Sequence, residues 1–303
     1  SLEPATQHSA AGPDPRTDFS RHPGYQQLRI LHDGAARLGL KASMLTRVGD
    51  EQFGQFIRQE SSHREDIIIE EKDLNSLVSY VDKQAEQMLV EGLLKLIPNA
   101  GLITEEDTTD ITGREWEWII DPLDGTTNFL HDIPAYSVSV GLRHNGQLVM
   151  GFVYEVNRGE LFSALKGHGA KMNNRAISVS KRAPLSNGLM ATGFPYTDFS
   201  GIDAYMDSLR HLMQCCRGLR RMGSAAVDLA YVANGRFDGF FEHGLNPWDV
   251  ARGIIIIQEA GGIVTDFGGN DDYLFGRQII ASSPQIHQEL LECVGKRFLG
   301  QSK

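Results

Sequence analysis

The sequence predicts an α+β fold built in layers. Three observations lead there. The middle of the chain alternates apolar and polar residues with a period of two, the last third alternates helical and extended segments, and earlier stretches carry helical spacing. Residues 1–24 hold Pro4, Pro13, Pro15 and Pro23 beside Gly12 and Gly24, which predicts a flexible leader. Residues 25–43 read as an extension, with Leu28, Leu31, Ala35 and Leu38 suggesting a short helix over 25–40. From Met44, the positions of Leu45, Val48, Phe53, Phe56 and Ile57 predict an amphipathic helix ending before Ser61. A helix over 82–97 sets Ala85, Met88, Leu89, Leu93 and Leu96 on one face, with Pro98 just past its end.

Trp116, Trp118 and Ile120 alternate into a strand that ends at Asp121-Pro122. Strands over 136–144 and 147–156 are joined by Asn145-Gly146, the strongest short hairpin signal, and 161–164 continues the meander. There follow a helix over 224–234, a strand over 237–242, a helix over 247–260, strands over 263–266 and 278–282, and a helix over 284–298. One domain is expected over 44–303, divided into an α+β half at 44–185 and an α/β half at 186–303.

Composition narrows the function. Of 303 residues, 41% are hydrophobic and 22% charged, a globular balance. Acidic residues outnumber basic ones 39 to 29, so a nucleic-acid-binding face is not expected. Phosphate substrates remain compatible, because a bound metal reverses the local field. The three cysteines, Cys215, Cys216 and Cys293, make no disulfide framework, and no Cys/His zinc spacing is read; reduced, buried thiols and a cytoplasmic location are expected. The longest strongly apolar run, 254–257, is far short of the ~20 residues that cross a bilayer.

The chemistry concentrates in Trp118-Ile-Ile-Asp-Pro-Leu-Asp-Gly-Thr-Thr-Asn-Phe129. A strand delivers Asp121 to its end, and Asp124-Gly125 turns the chain. Two carboxylates three residues apart can share one hard divalent cation or bridge two, and the Leu123 carbonyl between them is a third oxygen. Gly125-Thr126-Thr127 offers successive N–H groups to an anion. Taken singly, each motif has a plainer meaning. Asp124 and Asp82 are helix caps, Glu105-Glu106 is a solvated acidic loop, and Asp249 in Asn246-Pro-Trp-Asp249 is the N3 acid of a capping box. His243 reads as a substrate contact or a turn histidine, and Gly167-His-Gly169 as a hairpin turn.

Together, Thr104-Glu-Glu, the 118–129 segment and Pro247-Trp-Asp249 resemble the inositol monophosphatase family of Mg²⁺-dependent, Li⁺-sensitive phosphatases. Gly151-Phe-Val-Tyr154, Gly223-Ser-Ala-Ala226 and Glu259-Ala-Gly-Gly262 extend the likeness over about residues 44–300. The resemblance implies a layered αβαβα sandwich, two to three Mg²⁺ per subunit and a homodimer. It implies that Glu105, Asp121 and the Leu123 carbonyl hold one Mg²⁺, and that Asp121, Asp124 and Asp249 hold a second. Glu105 serves a third, weaker position, and Thr126 paired with Asp82 helps activate the attacking water. Gly125 and Thr126 take the phosphate, Gly223, Ser224, Ala225 and Glu242 face the polyol or sugar, and Lys72 matches a lysine on a mobile loop. The function implied is release of phosphate from inositol monophosphate or a similar polyol or sugar phosphate. The alternatives are a sister phosphatase (fructose bisphosphatase, bisphosphate nucleotidase or histidinol-phosphate phosphatase) and a regulatory binding protein that retains the fold. Glu242 favours the inositol branch, while Arg220 and Arg221 could serve a second phosphate. The apolar hairpin 136–155 is a candidate interface.

Overall fold

A computed structural model describes residues 56–57, 59–60, 69–73, 76–106, 111–195 and 198–299. The predicted leader, the 25–40 helix and most of the 44–60 helix lie outside the described residues; 56–57 and 59–60 are helical. β1 (Ile69–Asp73) and β2 (Ser76–Ser79) form an antiparallel pair leading into α1 (Tyr80–Leu96). A seven-stranded sheet follows in which chain order and spatial order coincide: β3 (Gly101–Thr104), β4 (Trp116–Asp124), β5 (Ser137–His144), β6 (Gln147–Glu155), β7 (Glu160–Leu165), β8 (Ala170–Met172) and β9 (Arg175–Ala176). The short helix α2 (Thr126–Leu130) lies between β4 and β5. The last third holds β10 (Leu189–Thr192), α3 (Ile202–Cys215), β11 (Gly218–Arg220), α4 (Ala225–Ala233), β12 (Gly239–His243), α5 (Pro247–Glu259), β13 (Ile263–Thr265), β14 (Gln278–Ser282) and α6 (His287–Leu299). Its strands form a second sheet in the order β11-β10-β12-β14-β13.

Strand periodicity decides what each sheet face touches. Trp116, Trp118 and Ile120 of β4 and Val138, Val140 and Leu142 of β5 share a core with Val81, Ala85 and Leu89 of α1. The alternate residues face α5: Ile119 packs with Ala251, and a Cβ at Gly151 would lie 2.5 Å from Ile255 and 2.8 Å from the Arg252 backbone. The second sheet is covered in the same way. Ala191, Phe240, Ile279 and Ala281 join Leu229 of α4 and Ile254 of α5, while Met190, Phe241 and Ile280 join Leu209 of α3 and Leu290 of α6. Five layers result: α1, the first sheet, α4 with α5, the second sheet, and α3 with α6. The expected αβαβα sandwich is the observed one. The 254–257 run is apolar on all sides because α5 is held between two sheets.

Several expectations change. β4 does not stop at Asp121 but continues to Asp124. The hairpin 136–155 is interior to the first sheet and exposes little beyond its 145–147 turn, so its strands offer no face for an interface. The three cysteines are free but half-buried rather than buried. The backbone at Lys72 belongs to β1 instead of a loop. No helix among the described residues is long and apolar enough to cross a membrane.

Candidate functional site

The irregularity at the end of β4 creates the site. Asp121 pairs with Ser139 of β5 and Asp124 with Ser137, so three residues on one strand span two on the other. In a regular strand, residues three apart point to opposite faces; one extra residue restores both carboxylates to one side. Pro122, with no N–H to pair, occupies the bulge. Asp121 Oδ1 accepts from Leu123 N at 3.0 Å, and Glu105, just past the end of β3, lines the same cleft. The Glu105-Glu106 segment is tied to α1 by Glu106 N donating to buried Glu86 at 2.9 Å.

Gly125 (φ +95°) and Gly223 (φ +91°) bring two backbones together across the cleft floor. A Cβ on Gly125 would lie 3.1 Å from the Gly223 carbonyl, and one on Gly223 would lie 2.7 Å from Asn128. Both the left-handed backbone and this close approach require glycine. Asn128 Nδ2 locks the arrangement by donating to Ala135 O at 2.6 Å and Met222 O at 2.8 Å.

The capping readings and the site readings turn out to be compatible. Asp82 accepts from Ser79 N and Ser79 Oγ through Oδ2 (2.8 and 2.7 Å), completing the capping box of α1. Its other oxygen accepts from Thr126 Oγ1 at 2.9 Å. Asp249 accepts from Asn246 N at 2.6 Å in the capping box of α5 and also lines the cleft. Asp124 does not cap its own helix. Its Oδ2 accepts from Ser224 Oγ and Ala226 N, both at 2.6 Å, and so holds the start of α4.

A cleft of about 280 Å³ gathers these groups. Glu105, Asp121, Leu123, Asp124, Gly125, Thr126, Gly223, Ser224, Ala225, Glu242 and Asp249 all line it. Asp82 does not; it stands one hydrogen bond behind, through Thr126. His243 also lies outside, its ring 5.6 Å from that of Phe298. Of the two arginines, Arg221 reaches the cleft, whereas Arg220 turns away and Nη1 donates to Leu219 O at 2.9 Å.

Two charged groups escaped the sequence reading. Arg252 of α5 is fully buried, and its Nη2 meets Asp121 Oδ2 at 2.9 Å; its Nε and Nη1 have no hydrogen-bond partner among the described residues. Asp228 of α4 is buried beside Glu242 and Arg221, and its Oδ1 likewise has no partner. The only signal for Arg252 was a cation one helical turn beyond Asp249 in an otherwise apolar stretch.

The electrostatics are those of an acid cluster short of positive charge. Burial raises Asp121 well above the usual carboxylate range, opposed by Arg252 and reinforced by Asp124 and Asp249. Burial also raises Asp124 and pushes Asp249 up to about 7. Desolvation, then repulsion from Asp249 and Asp124, lifts Glu242. A hard divalent cation would relieve this repulsion, and a donor set made only of carboxylate and carbonyl oxygen fits Mg²⁺. The Leu123 carbonyl, accepting from Thr126 Oγ1 at 3.0 Å, belongs to that donor set.

A five-layered αβαβα sandwich with an all-oxygen acidic cleft defines the class: the fold of the sugar- and polyol-phosphate phosphatases. A family model described as the inositol monophosphatase family matches residues 43–297, and the chain belongs to that family. The Nus factor SuhB of Pasteurella multocida is 40% identical over 251 residues, 81% of this chain and 94% of the relative. Extragenic suppressor protein suhB from Bartonella henselae superposes with a TM-score of 0.79 at 38% identity, covering 83% of this chain and 97% of that one. Inositol monophosphatase from Anabaena (Nostoc) sp. PCC 7120 gives 0.70 at 34%, covering 83% and 93%.

Proposed function

We propose that this chain is a Mg²⁺-dependent hydrolase of phosphate monoesters, acting on inositol monophosphate or a similar polyol or sugar phosphate. One observation carries the reading: Glu105, Asp121, Asp124 and Asp249, from three separate elements, converge with the Leu123 carbonyl on one cleft. Glu105, Asp121 and the Leu123 carbonyl would hold one Mg²⁺, and Asp121, Asp124 and Asp249 a second, with Glu105 serving a weaker third. Bound there, Mg²⁺ neutralises phosphate charge and lowers the pKa of water.

The chain's own groups do the remaining work. The single Thr126 hydroxyl hydrogen lies between Asp82 Oδ1 at 2.9 Å and Leu123 O at 3.0 Å. Donated to Asp82, it leaves the oxygen to accept a hydrogen bond from the attacking water, and as the water's proton arrives the hydroxyl's own proton passes to Asp82. Gly125 and Thr126 N–H groups receive the phosphate. Gly223, Ser224, Ala225 and Glu242 line the polyol side of the cleft. Arg252 aims the Asp121 carboxylate and opposes the burial that favours its protonation. A phosphate-release screen over inositol, fructose, nucleotide and histidinol phosphates with Mg²⁺ tests the reading; activity on none of them contradicts it, and a preference among them separates the sister phosphatases.

A second reading is favoured by the comparisons themselves. Relatives at 40–41% identity carry the name Nus factor. On this reading the chain is a regulatory binding protein that keeps the fold, and its net charge of −10 points to protein rather than nucleic-acid contacts. The two readings part in a bacterium deprived of its own SuhB relative. Rescue by Asp124→Asn would support the regulatory role, whereas rescue by the unsubstituted chain alone would support hydrolysis.

A further inference from the structure

In the outermost layer, α3 and α6 pack side by side around a core that includes Leu209, Leu212, Leu290 and Val294. Two side-chain pairs with the same spacing meet at one end of this packing. His211 and Cys215 stand four residues apart on α3, and Glu289 and Cys293 four apart on α6, so each pair shares a helix face. The ligand atoms of His211, Cys215 and Cys293 all lie within 4.8 Å of one another. Together with Glu289 they line a cavity of about 480 Å³. Cys216, the next residue, is not a member; its Sγ turns to the Gly218 carbonyl at 3.4 Å.

We propose that this cluster is a zinc site, with His211, Cys215 and Cys293 as ligands and the fourth position taken by water or by Glu289 swung in from the cavity wall. Two sulfurs and an imidazole nitrogen select Zn²⁺ over the Mg²⁺ suited to the carboxylate cleft. Tetrahedral Zn–S and Zn–N bonds set ligand atoms ~3.3–3.8 Å apart, within the span observed, so small side-chain rotations close the site. Glu289 Oε2 accepts from Leu185 N at 3.2 Å, so it reaches the fourth position only after a side-chain rotation. Two thiolates match the charge of Zn²⁺, and since Lys296 is already paired with Glu292 at 3.0 Å, Arg297 is the cation in the cavity wall that offsets Glu289. Binding would release the two thiol protons to solvent. Contrary to the expectation of no Cys/His zinc spacing, His211 and Cys215 are an i,i+4 pair in the sequence; what the sequence hides is Cys293, brought to them from another helix. The metal would clamp α3 to α6, and α3 leads through β11 directly to Arg221 and Gly223 of the cleft. The site would therefore steady one wall of the cleft without taking part in its chemistry.

Cobalt(II) reports the site by absorption. The full reduced chain, saturated with Mg²⁺, is titrated with Co²⁺. One equivalent should produce the strong near-ultraviolet band of thiolate-to-cobalt charge transfer, and one equivalent of Zn²⁺ should bleach it. The band should vanish in Cys215→Ser and in Cys293→Ser but persist in Cys216→Ser and Asp124→Asn. Zn²⁺ should also slow the reaction of Cys215 and Cys293 with a thiol reagent in the unsubstituted protein. Absence of the band in the unsubstituted protein, its survival in either Cys215→Ser or Cys293→Ser, or thiols that react equally fast with and without Zn²⁺ would overturn the proposal. The readouts on the unsubstituted chain stand even where a variant fails to fold.

Discussion

Asp249 does two jobs with one carboxylate: it accepts the Asn246 N–H at 2.6 Å and presents itself to the cleft. Asparagine keeps an oxygen for the cap and removes the charge. Asp249→Asn should therefore keep or raise the metal-free melting temperature, because buried like charges are relieved, while turnover with Mg²⁺ falls at least ~10²-fold. A destabilised but active variant would return Asp249 to capping alone. Asp124 separates the two contributions further. Its Oδ2 takes two bonds from the start of α4. Asp124→Asn should lose ~10²–10³-fold in turnover yet melt near the parent. Asp124→Ala loses those bonds as well and should cost about 1–3 kcal/mol in denaturant unfolding. The acidic residues of the site were legible because they sit in short, dense motifs such as Asp121-Pro-Leu-Asp124. Arg252 and Asp228 were not: Asp228 sits in a helix buried on every side and Arg252 in the buried 250–257 stretch of α5, where periodicity marks no exposed face.

The helix α5 is the element on which both sheets depend, and it needs bare backbone opposite it. A Cβ at Gly151 of β6 would fall 2.8 Å from the Arg252 Cα, whereas one at Gly218 would make only ordinary contacts at 3.5 Å. Gly151→Ala should destabilise the protein by about 1–3 kcal/mol and lower turnover by displacing Arg252 from Asp121, with Gly218→Ala close to the parent in both measurements. Elements with strong local signals were readable from the sequence: α5 between Pro247 and Glu259, the hairpin at Asn145-Gly146, and the Trp116–Trp118–Ile120 alternation. α3 was missed although Tyr205, Ser208, Leu209 and Leu212 recur at helical spacing and form its buried face. β8 to β11 were missed because strands of two to four residues hold too few positions for alternation to appear.

Across the whole molecule, the acid cluster links stability to pH and metal. Asp249 is held near 7 by burial against an ordinary value of 3.8, so the folded state binds its proton more tightly than the unfolded chain does. Stability from this group is therefore greatest at low pH and is lost as pH rises from about 4 through about 7. In metal-free protein, the melting temperature of the parent should fall relative to that of Asp249→Asn as pH rises from about 4 to about 7, and saturating Mg²⁺ should erase most of that gap. A gap that stays constant with pH, read by calorimetry with and without chelator, would contradict the assignment. The position of α5 between the sheets has a further consequence for how the chain comes apart. Its residues complete the packing of the first sheet through Ala251 and of the second through Ile254, so neither sheet can shed its partner and stay whole. Amide hydrogens in the middle of α5 should then exchange with solvent only when the entire described fold opens, which makes them the slowest in the protein and a direct gauge of its global unfolding free energy.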